Sequence, residues 1–201
     1  MDHPTSRALI TFVKNPQKGQ VKTRLAKTLG DEQALRIYQA LLEHTRQVCI
    51  KASAQRYLYY SNYIDENDNW SDTAFHKALQ PNGDLGERME TAFRQVLKKH
   101  DKAIIIGSDC ASLKEEIIER AFQLLDDHDF VLGPAMDGGY YLLGMRQVFP
   151  SLFENIPWSS KEVADITRQR IWSNGYTLAE VDTLSDIDYE EDWEQYGWKI
   201  D

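Results

Sequence analysis

The sequence predicts an α/β fold, a single domain with a mostly parallel sheet held between two layers of helices. Three observations predict it. Short apolar runs alternate along the chain with longer segments of helical periodicity. The central apolar runs are nearly continuous, as expected of strands buried on both faces. The length, 201 residues, suits one sizeable core.

Each element follows from its own pattern. Ala8 to Val13 reads as the first strand, followed by the polar loop Lys14 to Lys22. Over Asp31 to Ile50, residues Leu35, Tyr38, Leu41, Leu42 and Val48 fall on one helical stripe. Arg56 to Ser61 is a second strand. Asn62 to Lys77, rich in Asp and Asn, is a loop with room for a short helix. Asp84 to His100 brings Leu85, Met89, Phe93 and Leu97 round at helical spacing. Lys102 to Gly107 is the central strand, and Ser112 is placed to cap a helix over Leu113 to Asp127, with Glu115 in its first turn. Phe130 to Gly133 and Tyr140 to Gly144 are short strands on either side of an Asp137 loop. Ser159 or Ser160 opens a helix to about Ser173, which Asn174-Gly175 ends. Tyr176 to Val181 is the last strand and Asp188 to Tyr196 the last helix. No internal repeat, low-complexity stretch or interdomain linker breaks the series.

The net charge of −9 argues against a nucleic-acid partner, because such proteins usually present a basic face. The acidic stretch Asp182 to Glu194 reads as a solvated helix face. Cys49 and Cys110 make neither a disulfide framework nor a zinc motif, which points to a reducing, cytoplasmic setting. Met1 to Arg7 is polar and lacks the apolar core of a signal peptide. No apolar run approaches a membrane span. Trp193, Tyr196 and Trp198 either pack a dimer face or cover the core, so a homo-oligomer stays open.

Six constellations carry chemistry. In the first, Lys14 to Leu25 follows a strand and holds Lys14, Lys18, Lys22 and Arg24 with Gly19 and Pro16. Such a loop can wrap a diphosphate, although its spacing is neither a P-loop nor a dinucleotide fingerprint, and a plain basic surface loop is the competing reading. In the second, Asn82-Gly83-Asp84-Leu85-Gly86-Glu87-Arg88-Met89, a turn enters a helix, with Asp84 and Glu87 fitting a capping box. Gly86 inside the first turn costs about 1 kcal/mol relative to alanine, which makes sense if a ligand approaches the backbone closely. The third, Gly107-Ser108-Asp109, delivers a carboxylate to a strand end, where it can bind Mg²⁺ or Mn²⁺ bridging phosphates or can cap the next loop. In the fourth, Asp137-Gly138-Gly139-Tyr140-Tyr141, the glycines can floor an acceptor or sugar pocket, with Asp137 binding a hydroxyl or acting as a base. A plain hairpin turn with a core Tyr140 competes. In the fifth, Asp188 fits a capping box with Glu191, and Asp186 fits a metal site with Asp109. The sixth is Trp158-Ser159, where Trp158 is either a pocket wall or a core residue.

Taken in order, these residues resemble a known family. Phe12-Val13-Lys14-x-Pro16-x-x-Gly19-x-Val21-Lys22-Thr23-Arg24-Leu25, Gly83-Asp84-Leu85-Gly86-x-Arg88-Met89, Gly107-Ser108-Asp109-Cys110, Gly133-Pro134-x-x-Asp137-Gly138-Gly139-Tyr140-Tyr141-Leu142 and Asp186-Ile187-Asp188 look like the DUF2064 group. Its members are held to be glycosyltransferases of the GT-A, nucleotide-diphospho-sugar transferase fold, a Rossmann-like sheet. The series is also similar to the 2-phospholactate and molybdenum-cofactor guanylyltransferase types. The resemblance implies a nucleotide over the N-terminal half of the sheet, with Lys14, Lys22 and Arg24 on its phosphates and Thr23, Gly83, Asp84, Gly86 and Arg88 beside it. It implies a metal on Asp109 with Asp188 or Asp186. It implies an acceptor or sugar pocket of Gly138, Gly139, Tyr140 and Trp158, with Asp137 and Asp109 as catalytic residues. Ala111 stands where the family usually has proline, and Tyr189 where related chains tend to have threonine.

The activity so implied is transfer from a nucleotide-activated donor to a small-molecule acceptor with Mg²⁺ or Mn²⁺. Glycosyl transfer from a nucleotide-diphospho-sugar comes first. Nucleotidyl transfer from a nucleoside triphosphate with pyrophosphate release is the alternative, and a non-catalytic nucleotide-binding protein the third.

Overall fold

The structure is a computed structural model, in which residues 6–200 are described. In chain order it contains β1 (Arg7–Val13), α1 (Thr23–Lys51), β2 (Gln55–Tyr60), β3 (His76–Leu79), α2 (Leu85–Val96), β4 (Lys102–Ile106), α3 (Glu115–Asp127), β5 (Phe130–Pro134) and β6 (Tyr140–Met145). A 3₁₀ turn (Pro150–Leu152), α4 (Val163–Ser173), β7 (Leu178–Glu180) and α5 (Glu190–Tyr196) complete it. The strands form one sheet in the order β3-β2-β1-β4-β6-β5-β7. Every pairing is parallel except those of β6, which runs antiparallel to β4 and β5. The expected mostly parallel α/β sheet is therefore present.

Strand periodicity splits the core into two layers. Leu9, Val13, Leu58, Ile104 and Ile106 point to one face, where Tyr38, Leu42 and Val48 of α1 and Ile118, Phe122 and Leu125 of α3 cover them. Ala8, Ile10, Ala103 and Ile105 point to the other, under Met89, Phe93 and Val96 of α2 and Ala164 and Ile171 of α4. A third cluster of Leu25, Ala34, Ile37, Leu41, Ala111 and Ile187 is covered by Trp193 and Tyr196. Trp198 stacks on Trp193 at 5.1 Å and on His44 at 5.4 Å. Trp193 and Tyr196 thus cover the core of their own chain, while Trp198 stays exposed beside them.

Several element ends differ from expectation for identifiable reasons. The first helix starts at Thr23, not Asp31, and Gly30 (φ 81, ψ 159) interrupts it. Helical periodicity sees only the longer part. Strand β3 pairs on one side only, as an edge, so its short, half-exposed sequence carries no apolar run. Ser112 is not the cap of α3: Lys114 holds that position with no side-chain cap bond. Helix α4 begins after Glu162 rather than at Ser159 or Ser160, because Ser159 sits at φ 67. At α5 the Asp188–Glu191 box does not form. Asp192 instead accepts from the backbone N–H groups of Asp188 (2.9 Å) and Tyr189 (2.8 Å).

The polar loop after β2 folds around a lysine. Lys77 Nζ, on β3, donates to Asp65 O (3.1 Å) and reaches Asp68 Oδ1 (2.9 Å) and Asp72 Oδ1 (3.0 Å), and Asp68 also accepts from Tyr60 Oη. Cys49 and Cys110 are both free and buried. Among the described residues, no helix is long and apolar enough to cross a membrane.

Candidate active site

Chain reversal at the middle of the sheet opens a crevice at the C-terminal strand ends, where open α/β sheets bind ligands. β1 continues beside β2 as far as Val13 and Tyr60, while its ladder with β4 stops at Thr11 and Ile106. Into this gap opens a cavity of about 580 Å³. Lys14, Lys22, Thr23, Arg24, Arg88, Asp109, Asp137, Gly139, Tyr140, Trp158, Asp186 and Asp188 all line it. Gly83, Asp84, Gly86 and Gly138 are absent from its lining.

The charged centre is a cluster around one ammonium. Lys22 sits in the left-handed region (φ 47, ψ 44) at the start of α1, which turns its side chain inward. Its Nζ lies 2.5 Å from Asp109 Oδ1 and 3.6 Å from Asp188 Oδ1. Arg24 reaches Asp188 Oδ2 at 2.7 Å, with its guanidinium over the Tyr189 ring. Burial works against the Lys22 charge, but Asp109, Asp188 and Asp186 outweigh it and raise its pKa above the ordinary lysine value. A backbone bond from Ile187 N to Asp109 O (2.9 Å) brings the last segment alongside β4. With Ile187 fully buried, Asp186 and Asp188 on either side of it both line the cavity.

Asp186 has a different partner. Cys110 Sγ donates to its Oδ1 at 2.7 Å. Burial, with the charge of Asp109 adding to it, pushes the Asp186 carboxyl up to about 6. Burial and the neighbouring Asp186 push the Cys110 thiol well above its usual value, so it stays protonated. Between 3.8 and about 6 the folded protein thus retains a proton on Asp186 that the unfolded chain has lost. That contribution to stability is complete below the ordinary value of 3.8 and vanishes as pH rises through about 6. Asp186→Asn should therefore melt higher than wild type at about pH 8, by on the order of 1–2 kcal/mol, with the gap smaller at about pH 5 and closing only below 3.8. Parallel melts at the two pH values check this; a gap independent of pH rejects it.

The residues present suit a hard divalent ion in part. Asp109 and Asp188 are partly exposed oxygen donors that already share one cation, the Lys22 ammonium, as a stand-in. Mg²⁺ ordinarily takes one or two carboxylates together with substrate phosphates. Asp186, turned to Cys110, does not complete a cage. Among the described residues no group of three His, Cys, Asp or Glu side chains is spaced to hold a metal.

Two glycines and an aspartate have reasons other than a ligand. Asp84 and Glu87 form the reciprocal capping box of α2, at 2.9 and 2.8 Å. Gly86 makes room for a side chain: a Cβ there would lie 2.7 Å from the Trp158 ring and 2.6 Å from Phe153 O. Gly138 (φ 90) packs on backbone, where a Cβ would meet Lys161 O at 2.2 Å, and its carbonyl accepts from Ala164 N. The hairpin turn is thereby pinned to the start of α4, and Asp137 Oδ1 accepts from Gly139 N (2.9 Å). Tyr140 and Trp158 meet edge to face at 6.5 Å on the cavity wall. Tyr38, Ser61, Gln80 and Ser108 also line the cavity and were not singled out from sequence as site residues. Tyr38 shows there only as a member of the apolar stripe of α1.

The fold is that of the nucleotide-diphospho-sugar transferases. The chain is similar to a structure from Desulfovibrio desulfuricans G20, provisionally described as a nucleotide-diphospho-sugar transferase. It is 27% identical, covers 92% of this chain and 84% of that one, and has a TM-score of 0.85. The inositol-1-phosphate CTP transferase from T. maritima shares the fold at 13% identity (94% and 92% covered, TM-score 0.60). So does a manganese complex of Rv0371c from Mycobacterium tuberculosis H37Rv, at 10% identity (98% and 100% covered, TM-score 0.56). The family model "Uncharacterized protein conserved in bacteria (DUF2064)" matches residues 42–160, and the chain belongs to that family. No curated protein matches it in sequence.

Proposed function

We propose that the protein is a metal-dependent transferase acting on a nucleotide-activated donor, and specifically a glycosyltransferase that moves a sugar from a nucleotide-diphospho-sugar to a small acceptor. The observation that carries this reading is the convergence of Lys22, Arg24, Asp109 and Asp188 where β1 and β4 part, in one cavity with Asp137 and an aromatic wall. Lys14, Lys22, Arg24 and Arg88 neutralise the donor's phosphates, with the charge-assisted bonds that phosphate favours. The first turn of α1, from Thr23, has no side-chain cap and offers backbone N–H groups to the same phosphates. Asp109 and Asp188 would hold Mg²⁺ or Mn²⁺, which when bound supplies Lewis-acid stabilisation of the leaving diphosphate. Asp137 orients the acceptor hydroxyl and takes its proton. Tyr140 and Trp158 wall the sugar and exclude water, and Gly139 floors the pocket while Gly138 fixes its turn.

Nucleotidyl transfer is the second reading, favoured by the shared fold of a protein named as a CTP transferase. The same cations would then serve an attack on the α-phosphate, with pyrophosphate leaving. Melting the wild type and Asp109→Ala against nucleoside triphosphates and nucleotide sugars, with and without Mn²⁺, tests both. One nucleotide class should raise the wild-type Tm by about 5 °C or more near saturation, and the variant should lose the shift. Release of a nucleoside diphosphate supports glycosyl transfer, and release of pyrophosphate the second reading. Asp137→Asn should bind the donor but turn over on the order of 100-fold more slowly. No shift with any nucleotide overturns both readings.

A further inference from the structure

The two strand ends that carry Lys14 and Asp109 have no ladder between them. Beyond Thr11 and Ile106, β1 keeps only β2 as a neighbour. β4 keeps β6 on its other edge, where Gly107 N donates to Tyr141 O. One hydroxyl bridges the gap. Tyr38 Oη accepts from Lys14 N (2.9 Å), donates to Lys14 O (3.0 Å) and lies 3.3 Å from Ser108 Oγ. A phenol has one proton to give and two lone pairs to fill, so with Ser108 donating its capacity is spent. The ring comes from α1, beneath the sheet, and is 2% exposed, so the core fixes it rigidly. Burial, with Asp109 nearby, raises the phenol's pKa above its ordinary value, and the bridging proton is retained.

We infer that Tyr38 is a positioning residue: its hydroxyl sets the width of the crevice between the phosphate-binding end of β1 and the acid-bearing end of β4. This rests on the phosphate reading of the site. A phosphate chain that touches both ends needs that width fixed, and a misplacement of about 1 Å can cost on the order of 100-fold in rate. Tyr38 acts through Lys14 and Ser108, not on the reacting atoms.

Tyr38→Phe keeps the ring and deletes the bridge. Calorimetric titration with inorganic pyrophosphate is the probe, on wild type, Tyr38→Phe, Ser108→Ala and Thr45→Val. Thr45 lies on the same helix, is fully buried and donates to Leu41 O at 2.9 Å, so its variant loses a comparable hydroxyl away from the crevice. Affinity should fall about tenfold in Tyr38→Phe, less in Ser108→Ala, and not at all in Thr45→Val despite a similar loss in Tm. Unchanged affinity in both crevice variants overturns the inference while leaving the phosphate site standing. An equal loss in Thr45→Val also overturns it, because general loosening then explains the effect. A wild type that binds no pyrophosphate overturns the inference and the phosphate reading together. Should Tyr38→Phe fail to fold, Ser108→Ala decides.

Discussion

Gly138→Ala should cost about 3 kcal/mol of stability and lower the melting temperature by about 10 °C. Two costs add. At φ 90 an L side chain is strained in any surroundings, and here its Cβ would lie 2.2 Å from Lys161 O and 2.6 Å from Lys161 Cα. Those are backbone atoms just ahead of α4, so no side-chain rotation relieves the clash. The hairpin must lift from the helix, breaking the bond from Ala164 N to Gly138 O and displacing Asp137. Turnover should therefore fall further than stability alone explains. Gly107→Ala is the control: a Cβ there meets nothing within 4 Å, and the change should stay within about 0.5 kcal/mol. Thermal melts of the two variants make the comparison, and equal losses would remove the packing argument.

Lys22→Met should abolish the site more thoroughly than any other single change outside the acids. It deletes the ammonium that Asp109 and Asp188 share and leaves two carboxylates facing each other. Both are partly solvated, so screening limits the loss of stability to about 1–2 kcal/mol. Binding suffers more, because a buried cation already aimed at the cavity is lost from the phosphate site. Pyrophosphate affinity should drop on the order of 100-fold. Calorimetry against the wild type measures it, and an affinity within about twofold of wild type would show that Lys22 serves only its acidic neighbours.

Much of this architecture was legible because local and tertiary signals agree. Lys102 to Ile106 reads as a doubly buried strand, and all five residues are buried. Its position at the centre of the sheet is what sends Asp109 to the ligand-binding edge. Helix α2 was legible from Leu85, Met89, Phe93 and Leu97, although of these only Met89 and Phe93 are buried, beside Ala92 and Val96, and Leu85 is exposed. The misses lie where the cause is remote. His76 to Leu79 becomes a strand because β2 offers an edge, not because its own residues demand one. Gly30 breaks a helix whose flanking periodicity looks continuous only from Asp31 onward.

The site divides the same way. Chemistry that depends on residue type at a strand end, such as Asp109 or the basic run after β1, is visible in one dimension. Contacts between distant segments are not. Gly86 appeared to make way for a ligand, and the occupant is the indole of Trp158, which nothing near Gly86 announces. Asp186 and Cys110 face each other although 76 residues separate them in the sequence. Tyr38 displays an apolar stripe in sequence, while the one polar atom that matters reaches past the core to two strand ends.

The loop closed around Lys77 has its own consequence. Loops rich in aspartate and asparagine elsewhere recruit an ion from the medium to hold their oxygens together; this one encodes its ion in the polypeptide. Burial works against the charge on Lys77, but Asp68 and Asp72 outweigh it and raise its pKa. The loop loses its cation only above the ordinary alkaline range of lysine, so the proton on one side chain holds its oxygens together.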